Sequence, residues 1–173
     1  LNPFMNGEEM VFAPHYDQID QTAVDVQYTT GATLWKFEAM ARSGQGERFA
    51  AFVGGFEHTF YTVIDGRADI GLLVEYLYDG RDPLLAPFTI SDNDIFVGAR
   101  FALNDTQDTS FLAGGTIDHE NGSSFALLEA QTRLGSDWTI ELEGRFFINV
   151  DQNDPTHFFA QDDFINLKIA RFF

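Results

Sequence analysis

The chain has 173 residues, 45% of them apolar, enough for one packed domain or part of one, and its 27 acidic against 10 basic side chains give a formal net charge of -17. That balance excludes a nucleic-acid partner, which would demand basic patches, and favours divalent cations instead. Cysteine is absent, so no disulfide or thiolate metal site is available, and no run of about 18 apolar residues offers a transmembrane helix. The 19 Phe and 15 Gly describe a β composition, in which aromatic residues favour strands and Gly with Asp-rich clusters punctuates them.

Residues 1–21 carry Pro3, Pro14 and the pair Glu8 and Glu9 and read as an N-terminal loop or linker from a preceding part, with room for one short strand. From residue 22 a period-two alternation begins, with Val24, Val26 and Tyr28 against Asp25, Gln27 and Thr29. After a tight turn at 30–32, Trp35, Phe37, Ala39 and Ala41 alternate with Lys36, Glu38, Met40 and Arg42. A third strand sets Phe52, Gly54, Phe56 and Phe60 against Val53, Glu57, Thr59 and Tyr61, and Asp65-Gly66 signals a hairpin. The chain returns with Ile70, Leu72, Val74, Tyr76 and Tyr78 opposed to Asp69, Glu75 and Asp79. A longer connection at 80–92 precedes Ile95, Val97, Ala99 and Phe101, whose other parity holds Asp94 and Arg100. Further strands follow around Phe111 to Ile117, around Ala126 to Leu134 with Glu129 and Arg133 on the polar parity, and around Trp138 to Ile148 with Glu141, Glu143 and Arg145. An acidic loop at 149–162 leads to a last strand. The sum is about nine strands joined by short turns at 30–32, 64–67, 105–108 and 135–137, alternating with loops at 43–47, 80–92, 118–123 and 149–162 that are longer on average.

The last strand alternates Ile165, Leu167, Ile169 and Arg171 with Phe164, Asn166, Lys168 and Ala170, and the chain stops on Phe173. This resembles the closing strand of Gram-negative outer-membrane β-barrels, and the resemblance implies that Phe173, Ile169 and Leu167 form the signal read by the barrel-assembly machinery; Arg171 departs from the usual apolar residue. The runs Leu34-Trp35-Lys36-Phe37-Glu38-Ala39, Gly55-Phe56-Glu57-His58-Thr59-Phe60 and Val74-Glu75-Tyr76-Leu77-Tyr78-Asp79 look like an uncharacterised, porin-like group of proteobacterial outer-membrane proteins. The expected fold is therefore an all-β, antiparallel, up-and-down transmembrane β-barrel over residues 22–173, in contact with outer-membrane lipid and lipopolysaccharide. An odd strand count is foreign to single-chain bacterial barrels, so further strands are expected from a missing N-terminal part or another chain, and the chain is expected to continue before Leu1.

Alternation by itself fits a soluble barrel with an apolar interior as well as a membrane barrel with an apolar exterior. Strand length, loop asymmetry and the terminal Phe favour the second. On that reading Trp35, Trp138, Tyr28, Tyr76 and Tyr78 face lipid, with His58 near the interface, and the lumen is lined by Lys36, Glu38, Arg42, Glu57, Asp69, Glu75, Asp79, Arg100, Glu129, Arg133, Glu141, Glu143, Arg145 and Lys168. Lys36, Glu38 and Arg42 should face Glu57, and Glu129 and Arg133 should face Glu141, Glu143 and Arg145. The excess carboxylates Asp69, Glu75 and Asp79 would bias passage toward cations. No cofactor is expected beyond calcium or magnesium at the loops, for which Asp92, Asp94, Asp151 and Asp154 are weak candidates. His119, beside Asp118 and Glu120 and followed by Ser123 and Ser124, reads as a polar hairpin tip rather than a catalytic group, since no nucleophile elbow accompanies it. A pore or transporter for small solutes is the leading expectation, with a closed, salt-bridged barrel working through its loops as the alternative.

Overall fold

The computed structural model describes residues 2–6 and 9–173. It is a nine-stranded antiparallel sheet in which every strand pairs with its neighbour in sequence. The strands are β3 (Asp20–Thr30), β4 (Thr33–Ser43), β5 (Phe49–Thr62), β6 (Ala68–Asp79), β7 (Asn93–Leu103), β8 (Ser110–Asp118), β9 (Ser124–Leu134), β10 (Trp138–Ile148) and β11 (Phe164–Arg171). Ahead of them a separate two-stranded hairpin, β1 (Asn2–Asn6) and β2 (Glu9–Ala13), occupies part of the stretch expected to be loop. The sheet is open, with β3 and β11 as its edges.

The connections at one end are longer on average than those at the other, as the spacing predicts, although the six-residue turn after β7 exceeds the five-residue loops after β4 and β8. At one end lie the turns after β3, β5, β7 and β9; at the other lie the connections after β4, β6, β8 and β10. The Asp65-Gly66 turn differs in detail from a tight hairpin. Val63 bridges Ala68, and Thr62, Ile64 and Asp65 all take left-handed backbone, with φ of 54°, 53° and 56°. A β-branched residue pays for that conformation.

The register carries a steady shear. A row of directly opposed residues starts at Thr29, near the end of β3, and runs through Leu34, Glu57, Leu73, Gly98, Gly114, Leu127 and Arg145 to Phe164, the first residue of β11. Since β3 and β11 run in the same direction, the row slips along the strands by roughly one residue per strand. With about 3.4 Å per residue and 4.8 Å between strands, that slip is a tilt of about 35°. Closed barrels have strands tilted by about 35–45°.

Opposed residues share a face, so the register sorts the side chains into two sets. One face holds Val24, Trp35, Phe56, Val74, Val97, Ala113, Leu128, Leu142, Leu167 and their alternates. Apart from Asp20 at the start of β3, His58 and Arg171, no strand residue on this face is of an acidic or basic type. All the charged residues expected in a lumen lie on the other face. Neither face is covered: among the described residues the buried apolar side chains are Phe49, Ala68 and Ala86, and Val97, in the middle of the sheet, is 54% exposed. Nothing in this arrangement amounts to a water-excluding core.

Aromatic residues on the apolar face gather toward both strand ends. Tyr28, Trp35, Phe60, Phe101, Phe111 and Trp138 lie toward the short turns. Phe52, Tyr76 and Tyr78 cluster toward the long loops, with Phe52 5.8 Å from Tyr76 and 5.4 Å from Tyr78 between ring centroids. Between the two bands the face is mostly Val, Leu, Ile and Ala, with Phe37 and Phe56 among them. On β5, Phe52 and Phe60 are separated by about 27 Å of strand, or about 22 Å measured across the sheet after the tilt is removed.

On the charged face, Gly98 and Gly114 oppose each other on β7 and β8. A Cβ built on either would stand 2.9 Å or 2.7 Å from the Phe96 ring. The paired glycines thus make the floor on which that ring lies.

Candidate functional site

On β10 and its neighbours the pairing places like charges opposite one another: Glu129 on β9 faces Glu143 directly. Opposed carboxylates are destabilising unless a cation intervenes. Arg145 supplies it, with Nη2 donating to Glu129 Oε1 at 2.8 Å and lying 3.0 Å from Glu143 Oε1. On the next strand Lys168 donates to Glu141 Oε2 at 2.9 Å, as their register position predicts. Across β4, β5 and β6, Lys36 sits between Glu57 at 3.9 Å and Glu75 at 3.7 Å. Two of these three groupings therefore hold two carboxylates to one cation, leaving a negative surplus.

Other expected pairings do not form. Arg42 opposes Phe49 toward the long-loop end, whereas Glu57 opposes Leu34 toward the short-turn end, so the two cannot meet. Arg42 instead donates to Gln21 Oε1 at 2.8 Å. Arg133 reaches Asp108 in the adjacent turn at 3.1 Å rather than the glutamates of β10. Glu38 opposes Asp25 on β3, and among the described residues neither Glu38 nor Arg100 has an ion-pair partner. Asp79 is held by Arg81 through Nε at 2.9 Å and a second contact from Nη2, a pairing that raises the guanidinium pKa above its ordinary value. Asp69 accepts from the Thr62 amide at 2.7 Å and from Asn104. Of the three carboxylates expected in surplus, Glu75 is the one left sharing its cation.

Toward the long loops the charged face changes character. Phe125, Phe147 and Phe164, on three successive strands, share the parity of the charged residues. Phe125 and Phe147 are opposed, their rings 5.3 Å apart, and Phe159 from the loop before β11 stacks on Phe147 at 6.0 Å. Phe88 and Ile90 from the loop between β6 and β7 complete a cavity of about 480 Å³, walled by Asp94, Asp118, Asp154 and Arg145. Sequence reasoning missed this site. The signal was present in Phe125, Phe147 and Phe164, three aromatic residues that break a polar parity at one end of adjacent strands; the loop residues gave none.

The aspartates at this end organise the loops. Asp118 accepts the amides of Glu120 at 2.6 Å and Asn121 at 3.2 Å, and Asn121 Nδ2 bridges Asp118 to Asp154. Asp154 caps the short 3-10 segment Pro155–Phe159 by accepting from Thr156 N at 2.7 Å. Burial alone would raise its pKa; bonds from Thr156, Ser123 and Asn121 outweigh burial and hold it below the ordinary carboxylate value. At Asp92 the bond from the Asn93 amide is outweighed, and burial, followed by the negative charges of Asp118 and Glu120, pushes it up. Asp151 accepts from Asn153.

Among the described residues no group of three or more His, Asp or Glu is placed to hold a metal ion, so Asp92, Asp94, Asp151 and Asp154 do not assemble into a coordination site. His119 is exposed and engaged through its amide with the Asn93 carbonyl at 2.9 Å. The neighbouring Asp118 carboxylate accepts from the Asn121 side chain. His58 accepts from or donates to Thr33 Oγ1 at 2.7 Å on the apolar face.

In the terminal strand, Leu167 opposes Leu142 and Ile169 opposes Ile140, while Arg171 opposes Trp138. The Arg171 guanidinium lies 5.4 Å from the Trp138 ring centre and 4.9 Å from that of Phe173. A cation on this parity is thereby held against two aromatic faces, an arrangement suited to an interface.

No family model, curated protein or solved structure matches the chain.

Proposed function

We propose that the sheet is the wall of an outer-membrane β-barrel and that the barrel is a pore or transporter for small solutes, with the charged face lining the lumen. The observation that carries the membrane reading is the exposed face of nine strands, nearly free of acidic and basic residues, mostly aliphatic in the middle and richer in aromatic residues toward the strand ends. In water such a face would be a liability. In a bilayer it matches the apolar band of about 25 Å, flanked by aromatic girdles, that barrels present to lipid. The tilt, the strand lengths and the longer average connections at one end support the same reading, with the short turns periplasmic.

The edges β3 and β11 run in the same direction, so an all-antiparallel closure requires an odd number of further strands. The five-residue strands β1 and β2 are shorter than the roughly 9–11 residues that span a bilayer. Segments preceding this one, or another chain, would complete the wall.

The surplus of carboxylates around Lys36 and Arg145 favours cations in the lumen. Planar-bilayer recording of the full-length protein tests the proposal through its reversal potential under a salt gradient. Cation selectivity that falls in Glu75→Gln supports it; an anion-selective or non-conducting barrel refutes it. The ion pairs of Arg145 and Lys168 favour a second reading, a closed barrel whose salt-bridged interior is structural and whose loops bind partners. Absence of conductance in a correctly inserted protein is the result that reading requires.

A further inference from the structure

The apolar cavity at the long-loop end has no counterpart in the logic of the sheet. Lipid would cover the opposite face, yet Phe125, Phe147 and Phe164 are on the charged one. The loop residues above them are left open as well: Phe88 is 61% exposed and Ile90 64%. Apolar surface turned toward an aqueous lumen costs free energy unless something apolar covers it. A cavity of about 480 Å³ lies within the range of sites for small molecules, about 300–1,000 Å³.

The walls restrict the charge of an occupant. Asp94, Asp118 and Asp154 line the cavity and are buried, and the one cation there, Arg145, is already engaged by Glu129 and Glu143. An anion entering would meet carboxylates with no free cation to receive it. A cation would be attracted both by those carboxylates and by the faces of the phenylalanine rings.

We propose that this cavity is a binding site for a small aromatic cation, of which an arylalkylamine is the simplest example. The flat ring would stack among Phe147, Phe159 and Phe88, and the ammonium would point toward the aspartates. Placed at the extracellular mouth of the lumen, the site would collect its ligand ahead of passage. This deepens the pore reading by naming a class of solute; binding itself does not depend on conduction.

The test is equilibrium dialysis of the full-length protein in lipid nanodiscs, with empty nanodiscs as the blank, against 2-phenylethylammonium, its neutral analogue 2-phenylethanol and the anion 3-phenylpropionate. Saturable binding in the order amine, alcohol, carboxylate is expected, with about tenfold between the first and last. Phe159→Ala and Phe88→Ala, both in loops, should each weaken the amine by about three- to tenfold. Phe158→Ala, whose ring is 89% exposed and outside the cavity, should leave it unchanged. Absence of saturable binding, equal binding of amine and carboxylate, or indifference to both loop variants overturns the proposal. A barrel that conducts without binding refutes the site and spares the pore, and one that binds without conducting does the reverse.

Discussion

Replacing Arg145 by Gln removes the one cation between Glu129 and Glu143, which the register holds directly opposite each other. Opposed Cβ atoms are about 4.5–5.5 Å apart, so the carboxylates would stand roughly 5–6 Å from each other. Two unit charges at that separation repel by about 0.7 kcal/mol in bulk water and about 3 kcal/mol at an effective dielectric constant of 20. Glu129 and Glu143 are 47% and 40% exposed, which places the loss toward the lower part of that interval, about 1–2 kcal/mol. Urea unfolding of the protein in lipid vesicles reads it out. Two controls isolate the cause. Glu143→Gln in the Arg145→Gln background should recover most of the loss, and raising the salt to about 1 M, where screening acts over about 3 Å, should shrink it. A loss that survives both the second substitution and high salt would refute the electrostatic argument and assign Arg145 a packing role.

Leu142, opposed by Ala130 and Leu167 and near the middle of β10, should tolerate no charge in a bilayer. Leu142→Arg is expected to cost about 2–4 kcal/mol by vesicle unfolding, whereas the same change in a water-soluble barrel would leave the protein unable to fold. Asp92 gives a pH signature. Its folded pKa lies above the ordinary value, so the native state holds the proton longer than the unfolded one, and stability falls as pH rises from the unfolded toward the folded pKa. Asp92→Asn should therefore stabilise the protein at neutral pH and have little effect near pH 3, as compared by urea midpoints. Ile64→Gly should raise stability by about 0.5–1 kcal/mol, because the left-handed conformation at φ 53° costs an L-residue about 1–2 kcal/mol and glycine nothing, less the extra entropy of an unfolded glycine.

Much of the sheet was legible because period-two alternation is a backbone property. Val24, Trp35, Val74 and Leu142 sort to one face in sequence as they do in the structure, and Gly and Asp clusters mark the turns. Individual contacts were less legible. Parity says that Arg42 and Glu57 share a face, but only the register shows that they sit toward opposite ends of their strands. The hold of Arg81 on Asp79 is a loop conformation and has no periodic signal. The aromatic cavity fell between the two cases. Phe125, Phe147 and Phe164 were visibly on the wrong parity for a charged lumen, yet their meaning depended on Phe88 and Phe159, which loops deliver. The β1 and β2 hairpin was obscured by Pro3 and paired glutamates that read as loop.

The two tryptophans of the chain offer the most direct test of the central claim, that the apolar face lies against lipid. Both Trp35 and Trp138 are on that face toward the short turns, so their fluorescence should be quenched by bromines attached near the headgroup end of the acyl chains and less by bromines at the chain terminus. Acrylamide in the aqueous phase should quench both weakly. Strong acrylamide quenching together with indifference to brominated lipid would contradict the account and return the apolar face to the interior of a water-soluble protein.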